Sequence, residues 1–594
     1  MIAVASIRPR PRNYRQRNVG WWMVYLLLLV IGGVIAIVGS RTAPQLSALA
    51  FLLLFLSIVA TALWPIVGLF TIVFFSLVSD AVTIPWYPFV STFSSRESIL
   101  FVARGLTVTP LDVILAVTMI SWLVRLLGTR QGRPLTGSLA KPMAVFTAFV
   151  LFGFVNGIRS GGSVRIAVLE GRSLFYLGAV YLLVINLCGK REMRSLMWTA
   201  MAGITANAVI ALWYLSTLNP AERGKREDLG QHVAAVHYTT LLILFISLLA
   251  YRRSSRYARR LLFILSVPVL VALVVSQRRA SMIALTFAGS WVLLTLWWRQ
   301  RARFFVVAPF VLLGLGSYTA AFWNSASSIG VGAQAIKSVI APNYVSSRDS
   351  SSNLYRNLEN LDLNYTIRQS PVLGLGFGNR FLRPIPLPRI TFFELAEYTP
   401  HNSLLWVWIK MGFLGFASLF WLLGTSVVQG VGQLFRERDP TQAAVVMAAL
   451  GYVASYSIFS YVDISWDSTG VVFLGVAMAI CSTTLGRPAV ARLSRHQLVQ
   501  PERPEGKDVL AMAGGHREDG HEPAPRVAHP TALPAPALDR LQASQFPVPL
   551  PVVEPERPTP SSFAPPPLES EAQLPSDPRD AEPSSGAGLN WWLD

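Results

Sequence analysis

The chain has 594 residues, of which 52% are hydrophobic and only 14% charged, and its mean hydropathy is +0.46. So much apolar surface behind so few charges excludes an ordinary water-soluble protein and points to one that crosses a membrane many times. The net charge of +19 sits largely in short segments between apolar runs, a pattern of membrane orientation, and no nucleic-acid partner is expected.

Residues 1–20 carry Arg8, Arg10, Arg12, Arg15 and Arg17 and are predicted to stay in the cytoplasm. The run from Trp21 to Val38 is too long for the core of a secretion signal, and no small-residue cleavage site follows, so it reads as an anchor. Further spans are predicted near 46–63, 65–79, 111–127, 143–156, 173–188, 196–215, 238–250, 261–276, 281–298, 304–322, 402–424, 441–459 and 469–485. That makes about fourteen, or towards about twelve if 46–63 and 65–79, parted only by Trp64-Pro65, form one broken or re-entrant segment. Lipid offers backbone amides no partners, so the spans must be helical, and the expected fold is an all-α, polytopic transmembrane helical bundle over residues 21–486.

Basic loops at 128–141, 189–194, 251–260 and 299–303 fall on the same face as the N-terminus when the spans are counted, which makes that face cytoplasmic. The loop at 323–400 then lies outside. At about eighty residues it is too long for a plain connector and reads as functional or independently folded. From 487 to 594 the chain turns rich in Pro, Ala, Glu and Ser, with too few large apolar residues to offset ordering entropy; a disordered cytoplasmic tail is expected. Its closing Asn590-Trp591-Trp592-Leu593-Asp594 is either a short docking motif for a cytoplasmic protein partner or an untethered terminus.

Several polar residues carry weak signals. Cys188 and Cys481 lack ligand or disulfide spacing, so no metal site is expected. His232 and His237 are five apart, which does not pair ligands on a helix, and are read as solvent-facing or packing residues. Gly374, Gly376 and Gly378 are not followed by G-K-[ST], so they suggest a bend that lets the loop fold over a site rather than a phosphate-binding loop. Asp463 and Asp467 read as a polar external rim.

The strongest constellation lies in and after the external loop. Ser370 to Gly378 reads S-P-V-L-G-L-G-F-G, and His401 opens a span that soon reads K-M-G-F-L-G, with Asn402 and Ser403 suited to cap its first turn. Ser276 to Ser281, S-Q-R-R-A-S, stands at the outer end of an earlier span. Over roughly residues 261–425 this combination resembles the O-antigen ligase/polymerase superfamily of membrane glycosyltransferases, whose members carry an arginine motif at that place.

The resemblance implies transfer or polymerisation of a glycan from a polyprenyl-diphosphate-linked donor to a glycan or lipid acceptor, on the external face of the cytoplasmic membrane. No cofactor or metal is implied, and the partners otherwise are membrane lipids. Under this reading His401 is the base or orients the acceptor. Arg278, Arg279 and Arg356 are candidate ligands of the diphosphate, either of the first two matching the family arginine, and Arg172 in Glu170 to Tyr176 is a further candidate. Arginines suit a leaving diphosphate because their paired N–H groups meet its oxygens. An imidazole suits a base near neutral pH. Attack opposite the leaving group would invert the anomeric centre.

Two other classes fit less well. A lipid-linked glycan flippase or other transporter calls for charges or broken helices at mid-membrane and an internal repeat, and few internal ionisable residues stand out. A peptidoglycan glycosyltransferase of the shape, elongation, division and sporulation group is also polytopic, but matches the pattern around His401 poorly.

Overall fold

The computed structural model describes residues 45–78, 100–103, 106–128, 134, 136–219, 233–250, 256–276, 278–325, 327–341, 347–387 and 395–482. All belong to one compact unit; a second unit, Pro501–Leu589, lies outside the described residues. The expected anchor at 21–38, the basic N-terminus, His232 and the Pro-rich tail also lie outside them.

Every predicted span from 46–63 onward coincides with a helix. In chain order these are α1 (Gln45–Leu63), α2 (Pro65–Val78), α3 (Pro110–Gly128), α4 (Ala140–Arg159), α5 (Val164–Leu187), α6 (Lys190–Thr217), α7 (Ala234–Ala250), α8 (Arg256–Val275), α9 (Arg279–Arg299) and α10 (Arg301–Ala321). The external loop contributes α11 (Val331–Ile340) and α12 (Ser347–Gln369), and the bundle closes with α13 (Ser403–Arg436), α14 (Pro440–Val462) and α15 (Ser468–Ser482). A short antiparallel pair, β1 (Leu100–Ala103) with β2 (Leu106–Val108), is the sheet found among the described residues. The architecture is therefore the expected all-α polytopic bundle.

Among the described residues, nine helices are long and apolar enough to cross a membrane by length and composition: α3, α4, α5, α6, α8, α9, α10, α13 and α14. Shorter apolar helices such as α2, α7 and α15 are buried among them. α14 is the hub, packed against α7, α9, α13 and α15, and α10 is its opposite, with Phe305, Val306, Phe310, Leu312 and Leu313 turned outward. Apolar side chains facing outward round a bundle are what a hydrocarbon solvent demands, and this is a multi-pass membrane protein. α1 and α2 are two separate helices, the second opening on Pro65, where its missing N–H costs nothing.

The two ends of the bundle differ. At one end Arg299 donates to the carbonyls of Leu434 and Glu437, and Arg303 donates to that of Ala250, tying the last turns of α9, α13 and α7 together. Gln433 and Ser138 reach the carbonyls of Cys481 and Ser482 there. The starts of α5, α9 and α13 and the end of α14 gather at the opposite end, where α12 packs on α13. All candidate site residues lie at that end.

His237 packs inside the bundle, stacked on Tyr452 and hydrogen-bonded to its hydroxyl at 3.2 Å. Cys188 and Cys481 are both free thiols.

Candidate functional site

His401 sits immediately before α13, and Asn402 caps that helix by accepting from the Leu405 N–H at 3.1 Å. The cap fixes the chain's entry angle, and with it the imidazole. Asn402 also donates to Asn360 on α12, and Ser403 donates to the carbonyl of Asp463 at the end of α14. Thus three elements hold the segment that carries His401.

The imidazole meets a partner that the sequence reading did not single out. Glu359 on α12 is buried at 2% exposure; its carboxylate accepts from the His401 backbone N–H at 2.9 Å and faces Nδ1 at 3.1 and 3.2 Å. A carboxylate only accepts, so in the neutral imidazole Nδ1 carries the proton and the lone pair falls on Nε2. Burial pulls the imidazole pKa down, but the hydrogen bond and charge of Glu359, reinforced by Asp463 and opposed by Arg356, leave it above its usual value. His401 keeps 24% of its side chain exposed, and the Tyr355 ring stands edge-on to it at 5.5 Å.

The arginines gather round this pair from two sides. Arg278, at the N-cap of α9, lies 3.9 Å from Asp463, whose own influence reaches His401. Arg279 donates to Asn353 on α12 at 3.4 Å. Arg356, one turn before Glu359 on the same helix, acts electrostatically on His401, and its Nε is buried without a hydrogen-bond partner among the described residues. α12 is therefore the bridge: Asn353, Arg356, Glu359 and Asn360 recur at helical spacing and turn a polar face towards α9 and α13. Asp463 is a buried partner of Arg278, and Asp467 caps α15 through the Gly470 N–H, so the two are not merely a rim.

Arg172 is placed differently. Its guanidinium lies 3.7 Å from Asp112 at the start of α3, and the Tyr176 hydroxyl donates to the same carboxylate. Asp112 in turn receives the Thr109 N–H at 2.7 Å in a reciprocal cap of α3. This arginine joins α3 to α5 rather than the His401 group.

The glycines act differently from the expected bend over the site. Gly374, Gly376 and Gly378 all have positive φ, and their backbone forms a wedge pressed in turn against α13, α4 and the start of α5. A Cβ on Gly376 would fall 2.2 Å from the Gly157 nitrogen, so only glycine permits the approach. The Leu375 N–H donates to the Ile409 carbonyl at 2.7 Å, and the Phe377 N–H to that of Gly153 at 3.1 Å. α13 breaks at Gly412 (φ 71°), where the freed Phe413 N–H finds the Pro371 carbonyl at 3.0 Å. The kink and the wedge satisfy each other.

Below the wedge lies a second pair missed in the sequence, Glu170 of α5 and Lys410 of α13, 2.8 Å apart with both side chains fully buried.

Residues 264–420 match the family model described as O-antigen ligase. The chain is also 32% identical over 110 residues, 17% of its length, to an O-antigen ligase of Salmonella typhimurium. The matched stretch spans about a quarter (26%) of that protein's length. Both matches bear out the superfamily resemblance, and the family segment contains Arg278, Arg279, Arg356, Glu359 and His401.

Proposed function

We propose that this chain, which matches the O-antigen ligase family model over residues 264–420, is a membrane glycosyltransferase acting on a polyprenyl-diphosphate-linked glycan. The observation that carries the reading is the meeting of a carboxylate-oriented imidazole with the guanidinium groups of Arg278, Arg279 and Arg356 at one end of the bundle.

In the proposed step an acceptor hydroxyl attacks the anomeric carbon while the bond from that carbon to the diphosphate oxygen breaks. The diphosphate leaves with the electron pair, and the hydroxyl proton passes to Nε2 of His401. Glu359 holds the imidazole in the tautomer that exposes this lone pair and stabilises the cation formed. The arginines stabilise charge building on the leaving diphosphate, more strongly there than in the ground state. A single displacement inverts the anomeric configuration, and these groups supply the charge stabilisation and the proton acceptor without a metal.

The sidedness belongs to the same reading. The end of the bundle that holds Arg299 and Arg303 is the cytoplasmic one in this reading, and the His401 end is external on the cytoplasmic membrane. The acceptor is a glycan or a lipid-borne glycan.

One observation favours a transporter: Glu170 and Lys410 are ionisable groups inside the bundle. Every polar atom of that pair faces protein partners, so it offers no charge to a passing substrate.

Purified protein reconstituted into liposomes with a labelled polyprenyl-diphosphate glycan and a candidate acceptor tests the reading. Label joined to the acceptor with inverted linkage supports it. Label that only crosses the bilayer overturns it in favour of transport. Deletion strains then separate ligation from polymerisation, by whether the polymer or only its attached form disappears.

A further inference from the structure

The segment 378–385 is a strap with two sides. On one, the Thr366 hydroxyl of α12 accepts the Leu382 N–H at 3.0 Å while its own proton is shared between the carbonyls of Asp362 at 2.8 Å and Leu382 at 3.2 Å, and the Asp362 carboxylate accepts the Ile385 N–H at 3.0 Å. On the other, the Phe381 N–H donates to the Glu397 carbonyl at 3.2 Å, Arg380 pairs with Glu397 at 2.7 Å, and Arg383 donates to the Ala396 carbonyl at 2.6 Å. The strap therefore holds both the helix that carries Glu359 and the segment that leads to His401.

Its root is the Glu170–Lys410 pair. Glu170 accepts the Gly378 N–H at 2.7 Å, and Lys410 donates to the Asn379 carbonyl at 2.6 Å. The Trp406 indole N–H is shared between Glu170 at 3.4 Å and the Tyr398 carbonyl at 3.1 Å, three residues before His401. Two charges taken out of water gain little net stability over an apolar pair of similar volume. Here each charge also meets a strap backbone group of the matching sign, a donor for the carboxylate and an acceptor for the ammonium.

We propose that Glu170 and Lys410 are positioning residues that root the strap in the bundle and thereby set the Glu359–His401 contact on which the proposed transfer depends. The pair does not touch substrate. Its polarity matters as well as its charge: exchanging the two residues would keep an ion pair but set an ammonium against the Gly378 N–H and a carboxylate against the Asn379 carbonyl. A bundle staple would tolerate that exchange, whereas a strap root would not.

The test compares the full-length E170K/K410E variant with the neutral E170Q/K410M variant, each reconstituted and checked for its unfolding midpoint. The neutral pair keeps an acceptor for Gly378 and loses the hold on Asn379. It is expected to lose about tenfold in kcat with donor KM within about twofold, because groups that position a base act on the chemical step. The exchanged pair is expected to lose more. In both, the acidic limb of the pH profile moves towards that of Glu359→Gln, since the hydrogen bond and charge of Glu359 raise His401 more than Asp463 of α14 does, while Arg356 on the same helix as Glu359 only opposes them. Wild-type kcat in a folded E170K/K410E protein would overturn the proposal.

Hydrogen exchange supplies an arm that needs no catalysis. Amides at 378–385 and 395–401 should exchange faster in the neutral variant while those of α14 do not; unchanged strap exchange overturns the positioning role even if the exchanged pair fails to fold. If wild-type protein transfers no glycan, the functional reading fails and this arm still decides whether the pair roots the strap.

Discussion

Two carboxylate–cation pairs, Glu170–Lys410 and Glu359–His401, take their cations from the start of α13 and the residue two before it, and they are built for opposite ends. In the first, both side chains are sealed from solvent, and every contact is to protein. In the second, the carboxylate is sealed but the imidazole keeps 24% of its side chain exposed and turns only one ring nitrogen to its partner. A fully satisfied pair rigidifies; a half-engaged one leaves a reactive atom to something that is not protein. The contrast separates scaffold from chemistry inside one corner of the molecule.

His401→Ala breaks the comparison most sharply. Removing the proton acceptor should lower glycan transfer by about 10²–10⁴-fold at matched protein levels in membranes, the range for a positioned general base. Near-normal transfer would take His401 out of the mechanism. Glu359→Gln keeps the shape of the contact but removes its charge, and should cost about 10–100-fold in kcat, as loss of a group that orients a histidine does. Its signature is the pH profile. The neutral imidazole is the active form, so wild-type activity falls as pH drops through a value above 6.5, and in the variant that limb moves to lower pH. An unmoved limb would mean that the titrating group is elsewhere.

Arg356→Lys sharpens the other half of the site. A lysine keeps the charge but loses the planar fork, so donor KM should rise about tenfold with a smaller change in kcat, read from saturation curves with labelled donor. The same exchange at Arg172 should leave donor KM unchanged, because that guanidinium is held by Asp112.

How far the sequence revealed this arrangement follows from the range of each interaction. Spans were legible because lipid forces long apolar runs into helices, and the Asn402 cap because it acts within three residues. Glu359 was not, since its contact with His401 joins positions 42 apart. The available hint was α12 itself, whose polar residues recur at helical spacing in a loop that needed no polar inner face. Lys410 and Glu170 were visible as charges set in the apolar runs Leu404–Phe416 and Ile166–Leu177, and a charge in such a place calls for a partner. Nothing local said which partner, and nothing local said that Gly376 answers to the backbone of Gly157 rather than to a ligand.

The smallest expected effect is the one that most cleanly ties the half-open pair to its geometry. His401 has a raised pKa when folded, so the folded chain binds that proton more tightly than the unfolded chain does. Its contribution to stability is therefore complete below about pH 6.5, the unfolded value, and is lost as pH rises through the folded value. Transfer should gain over the same window, because rising pH frees Nε2. Unfolding midpoints of the detergent-solubilised protein should thus fall across the interval in which activity climbs. This component should vanish in His401→Ala and reverse its sign in Glu359→Gln, where burial, the largest influence on the imidazole, is no longer outweighed by the carboxylate. A wild-type midpoint that rises in step with activity, or a component that survives both substitutions, would place the proton on a group other than this imidazole.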